Sequence, residues 1–100
     1  MIKIKFYKNG LVVSGHANYA PHGQDIVCAG VSAITMGAIN WFVEEDVEIV
    51  VEEGYLSLRL LHQSQANLYL LELLQTQLSA LNHEEYSQYI SFQEINHELS

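Results

Sequence analysis

Between Asp25 and Glu44 the chain passes through 18 residues, 26–43, without a charged side chain. A stretch of that length reaches the threshold for crossing a bilayer, but Gly30, Ser32, Thr35, Gly37 and Asn40 dilute it, and a buried helix of a soluble fold is the better reading. A helix apolar almost all round has to be covered on more than one side. It therefore belongs in the core and is expected also to reach a subunit interface. One hundred residues, 49% of them hydrophobic, suffice for a single domain spanning 1–100 that buries roughly two-thirds of its unfolded surface.

What covers such a helix is written in the flanking segments. Ile2, Ile4 and Phe6 alternate with Lys3, Lys5 and Tyr7, the period of a strand with one buried face. Asn9-Gly10 is a two-residue hairpin signal that returns the chain through Leu11-Val12-Val13. The first helix is expected over 26–44. Val47, Ile49 and Val51 then alternate with Glu48 and Glu52, Glu53-Gly54 turns, and Leu56, Leu58 and Leu60 alternate with Ser57 and Arg59, which predicts a second hairpin. Leu70, Leu71, Leu74, Leu78 and Leu81 recur at helical spacing and predict a second helix over 64–82, with Gln75, Thr76 and Gln77 beyond its core edge. A last strand fits 89–95. The expected fold is α+β, a mostly antiparallel sheet with two helices in the order ββαββαβ, the two hairpin-helix halves sharing an architecture.

Twelve carboxylates against four basic residues give a net charge of -8 and a pI near 4.8, which argues against a direct nucleic-acid partner and suits a basic one. The densest acidic region, Glu44, Glu45, Asp46, Glu48, Glu52 and Glu53, reads either as a solvated face or as a dock for a basic substrate. A single cysteine cannot form an internal disulfide, and the N-terminal residues lack the apolar core of a signal peptide. A cytoplasmic protein without a membrane partner is expected.

That cysteine, Cys28, falls three residues after Asp25. Asp25 suits a helix N-cap, which puts Cys28 at the third helical position, where unpaired amides and the positive end of the helix dipole favour a thiolate. Gly15 and Gly23 bracket a loop short enough for His16 to fold back over the helix end, so a base-and-thiol pair follows if the two side chains meet. Read alone, Cys28 is equally a small buried hydrophobe and His16 a residue packed at a strand end. Asp25 has three open roles: cap, orienter of His16, or both. The N–H groups of Val27 and Cys28 are candidates for holding an oxyanion. His16, His22 and Cys28 are evenly spaced, but with only Asp25 as a fourth ligand they make a poor zinc set, and no metal or cofactor is expected. His62, His83 and His97 read as surface histidines.

Gly15, His16, Ala17, Gly23, Asp25, Ile26, Val27, Cys28 and Ala29 together resemble the pattern of the ribosomal-processing cysteine proteases of the Prp family. Ser32 and Asn40 stand where such sequences often carry Ser and Asn, and Leu74-Gln75-Thr76-Gln77-Leu78 and Glu84-Glu85-Tyr86 look similar too, so the resemblance covers nearly the whole chain. Ala20-Pro21-His22 departs from the acidic-aromatic pair of many relatives.

The resemblance implies a cysteine endopeptidase with Cys28 as nucleophile and His16 as base and acid, active in the cytoplasm as a homodimer. Its substrate would be the extended precursor of the twenty-seventh large-subunit ribosomal protein, cut after aromatic residues to remove a short apolar N-terminal extension. The loop 17–23 would open for that substrate and close on it. Two alternatives remain: a non-catalytic ribosome-associated binding module, in which Cys28 is unreactive, and a thiol redox sensor, against which the lack of a resolving cysteine counts.

Overall fold

Along β1 (Ile2–Tyr7), Ile2, Ile4 and Phe6 are buried while Lys3, Lys5 and Tyr7 take the opposite face, as the alternation requires. The computed structural model describes residues 1–21 and 25–100. Its regular elements continue as β2 (Gly10–Ser14), α1 (Ile26–Ala38), β3 (Val47–Glu52), β4 (Tyr55–Leu60), α2 (Gln65–Ser79) and β5 (Ile90–Glu94), with short 3-10 turns at Ile39–Trp41, Glu44–Asp46 and Glu84–Tyr86 that the sequence reading did not include. Both hairpins form, the second turning at Glu53-Gly54 as expected and the first one residue earlier than expected, at Lys8-Asn9, with Gly10 already paired to Tyr7 in β2.

The five strands lie in the order β3-β4-β2-β1-β5. β1 with β2, β2 with β4, and β4 with β3 pair antiparallel, but β5 pairs parallel to β1, with Ile2 opposite Ile90 and Phe6 opposite Glu94. The sheet is therefore mixed, not the mostly antiparallel one expected. The reason lies in the helices: α1 carries the chain from β2 to β3, α2 from β4 to β5, and a helix between strands returns the chain to its starting end, so each such pair points the same way. Hairpin signals are local and report only the antiparallel pairs. Asn9, buried in the first turn, adds a long-range tie, donating from Nδ2 to the Leu99 carbonyl at 3.1 Å and accepting from the Leu99 N–H at 2.6 Å.

The apolar faces converge on one core. Ile4, Val13 and Leu56 stand side by side across three strands, capped by Val27 and Val31 of α1 and by Leu71, Leu74 and Leu78 of α2. Val51 continues that row onto the edge strand and is left half-exposed. α1 stops at Ala38 instead of running to residue 44, because Ile39, Asn40, Trp41, Phe42 and Val43 are all weak helix formers that follow Gly37. Phe42 leaves in extended backbone and is buried. The uncharged run is thus a helix, a turn and a plug. Ile26, Met36, Trp41 and Val43 of that run remain exposed.

α2 opens on Ser64, whose side chain accepts from the Asn67 N–H at 3.1 Å. Asn67, buried, donates from Nδ2 to the His62 carbonyl at 3.0 Å and to Asp46 Oδ2 at 3.1 Å, while the Asp46 carbonyl accepts from the N–H of Leu61 and of His62. Asp46 is therefore a fixed part of the scaffold and does not belong to a free acidic face.

Candidate active site

Asp25 caps α1 as its position implies, with Oδ1 accepting from the N–H of Val27 and of Cys28, each at 3.0 Å. Its other oxygen, Oδ2, accepts from the N–H of Tyr19 at 2.9 Å, so one carboxylate fastens the incoming loop to the helix start. Partial burial pushes the Asp25 pKa up, but the hydrogen bonds from Cys28, Tyr19 and Val27 outweigh it, and the carboxyl is held below its ordinary value. The cap bears on two of the roles that the sequence left open. The Val27 and Cys28 amides, candidates for holding an oxyanion, are already engaged by the cap. Asp25 makes no hydrogen bond to His16 among the described residues; its carboxylate is taken up by the main-chain N–H groups of Val27, Cys28 and Tyr19, with the Cys28 thiol also beside it.

Cys28 stands half-buried on the first turn of α1. Its Sγ accepts a hydrogen bond from the N–H of Ala17 at 3.2 Å. Ala17 is itself fixed, its methyl group only 2% exposed and part of the core. Next to it, His16 is exposed, and its ring rests on the β3–β4 turn: a β-carbon built on Gly54 would lie 2.9 Å from His16 Nε2. Gly15 links the two segments, its N–H donating to the Gly54 carbonyl at 2.8 Å. Gly15 and Gly54 both have positive φ, +87° and +70°, which glycine adopts without strain.

His16 and Cys28 line the same cleft, of about 600 Å³, between α1 and the end of the β3–β4 hairpin. No hydrogen bond joins the two side chains among the described residues. Val51, Leu56 and Met36 make its wall apolar, and Asp25, Glu52 and Glu53 are its charged members. The acidic region read from the sequence is therefore divided: Glu52 and Glu53 border the cleft, whereas Glu44, Glu45 and Asp46 stand at the far end of β3, about 20 Å away for a strand of this length. Tyr19 holds the loop from outside, its ring edge-on to Tyr89 with centroids 5.0 Å apart.

Of the expected site residues, Gly23 lies outside the described residues, as does His22. Among the described residues no three His, Cys, Asp or Glu side chains converge as a metal site would require. The sequence reading missed the Gly54 seat for His16 and the Ala17 amide on Cys28. A turn signal marked Gly54, but nothing local connects it to a histidine that precedes α1 and β3.

The sequence profile of the family described as cysteine protease Prp matches residues 1–91. The chain belongs to the Prp family of cysteine proteases. A Prp ribosomal-processing cysteine protease of Mycoplasma pneumoniae is 42% identical over 98 residues, a match covering 94% of this chain and 95% of that protein. Among solved structures, an essential ribosomal processing protease Prp from S. aureus, in complex with a covalently linked product peptide, superposes with a TM-score of 0.84 at 24% identity. That match covers 95% of this chain and all of the other. The same S. aureus protease in complex with a substrate peptide gives 0.74 at 22% identity, covering 94% and 97%. These likenesses establish the Prp fold for this chain, mixed sheet included. No helix among the described residues is long and apolar enough to cross a membrane.

Proposed function

We propose that this Prp-family protease removes the N-terminal extension from the precursor of the twenty-seventh large-subunit ribosomal protein, with Cys28 as nucleophile and His16 as base and acid. The observation that carries this is the placing of the chain's only cysteine at a capped helix start, in one cleft with His16. In the reaction His16 takes the Sγ proton, the sulfur attacks the peptide carbonyl carbon, and the carbonyl electron pair moves onto oxygen. Collapse expels the amine with the proton from His16, leaving a thioester; water, deprotonated by His16, then releases the acid and the thiol. The two side chains draw together when substrate fills the cleft, since catalytic hydrogen bonds often tighten only in the complex. The apolar wall suits an aromatic residue before the scissile bond, and Glu52 and Glu53 suit the basic body of a ribosomal protein.

The Cys28→Ala chain, incubated with an extended precursor and followed by mass spectrometry, should keep its circular dichroism and leave the precursor intact. Full cleavage by that variant would sink the mechanism. The exposed Ile26, Trp41 and Val43 around α1 support a homodimer. Light scattering at micromolar concentration should give twice the chain mass; a monomer would mean that this surface stays uncovered.

A further inference from the structure

A thiol protease at a helix start ordinarily has the amides of that helix available for the developing oxyanion, and here they are not free. Asp25 Oδ1 holds the N–H of both Val27 and Cys28. The main-chain donor that does reach the sulfur comes from the loop rather than the helix: Ala17 N–H, 3.2 Å from Cys28 Sγ. Its direction is set three times over, by the Ala17 methyl buried in the core, by the Gly15 N–H bonded to the Gly54 carbonyl, and by the Tyr19 N–H bonded to Asp25. A preorganised donor of this kind needs no rearrangement when charge appears, which is the condition for a large electrostatic effect on rate.

From this geometry we infer that the Ala17 N–H is the main-chain anion donor of the reaction. It stabilises the thiolate before attack, then transfers its hydrogen bond to the carbonyl oxygen. As the sulfur–carbon bond forms, the charge leaves sulfur for that neighbouring oxygen, and it returns when the carbonyl reforms and the amine departs. The Asp25 cap in turn keeps the helix amides out of the reaction and the loop in place. This inference rests on Cys28 being the nucleophile.

Two measurements test it. In the 15N-labelled native protein, a peptide aldehyde ending in phenylalaninal adds its carbonyl carbon to Sγ and leaves a tetrahedral oxygen. The Ala17 amide proton should move downfield on addition, while the Val27 and Cys28 amides hold their shifts. Movement of Cys28 or Val27 instead of Ala17 would overturn the assignment. Cys28 is also a ligation point, so residues 1–27 made as a thioester can be joined to 28–100, with L-lactate replacing Ala17 to turn its N–H into an ester oxygen. Against an all-amide chain made the same way, kcat should fall about 10²- to 10³-fold, the range for loss of one oxyanion donor, with KM little changed. An ester chain as active as the all-amide chain overturns the inference. So does an equal loss in a control chain whose ester stands at Asn18. Failure of the nucleophile reading would appear separately, as cleavage by Cys28→Ala and no aldehyde adduct on Cys28.

Discussion

α1 and α2 begin alike and end up with different work. Each follows a hairpin, each has a side-chain cap, and each places a distinctive residue three positions after it: Cys28 after Asp25, Asn67 after Ser64. Asn67 is buried and its Nδ2 makes two bonds, to the His62 carbonyl and to Asp46. Cys28 opens onto a cleft. The third helical position points its side chain back toward the junction between helix and sheet, and the connection decides what it meets there. Residues 61–64 close the second junction over Asn67, whereas at the first junction Ala17 and Tyr19 touch the helix start and Cys28 still lines a cleft.

An open junction needs support from elsewhere, and Gly54 supplies it to His16. The sharpest way to break the comparison is therefore Gly54→Asn. Asparagine tolerates the left-handed φ, so the turn should survive, but its β-carbon displaces the imidazole. We expect kcat to drop about 100-fold, the scale of an ångström-sized misplacement, with Tm and KM nearly unchanged. Equal loss of Tm and of activity would make Gly54 a turn residue only.

The closed junction should fail in the opposite sense. Asn67→Ala leaves Asp46 and the His62 carbonyl without a donor and should cost about 1–3 kcal/mol in urea unfolding, while kcat of the folded fraction stays at the parent value. A drop in kcat at unchanged stability would show that the two halves are coupled in a way the contacts do not reveal.

The smallest effect concerns the cap. Because the Asp25 pKa is lowered by folding, its contribution to stability is complete above its unfolded value, about 3.9, and is lost as pH falls through the lower folded one. Asparagine caps about as well as aspartate, so Asp25→Asn should unfold at a slightly lower temperature than the parent at neutral pH. The gap should close below pH 4. A gap that persists in acid would assign the loss to the Tyr19 contact rather than to charge.

What the sequence makes legible is local. The Asp25 cap, Cys28 on the first turn, the Glu53-Gly54 turn and the leucine stripe of α2 are all interactions between near neighbours and stand as read, while the first hairpin forms with its turn shifted by one residue to Lys8-Asn9. The early end of α1 was also open to reading from residues 39–43, had propensity been weighed above hydrophobicity. The rest depends on contacts across the chain. The parallel β5 follows from where α2 sets the chain down, the burial of Asn67 from Asp46 arriving beside it, and the support of His16 from a turn some forty residues later. That the cap engages both helix amides was not legible, because one carboxylate oxygen can accept two bonds, which spacing cannot express.

β1 lies between β2, made immediately after it, and β5, made after α2. Ile2, on the cleft wall, is held by Tyr89 through a 2.8 Å main-chain bond. A chain still being synthesised therefore has its hairpins early but keeps β1 as an open edge until residues near 90 emerge, and closing a loop that long is a slow step. The last pairing to form is thus the one that steadies a wall of the cleft, although no residue of β5 lines the cleft itself.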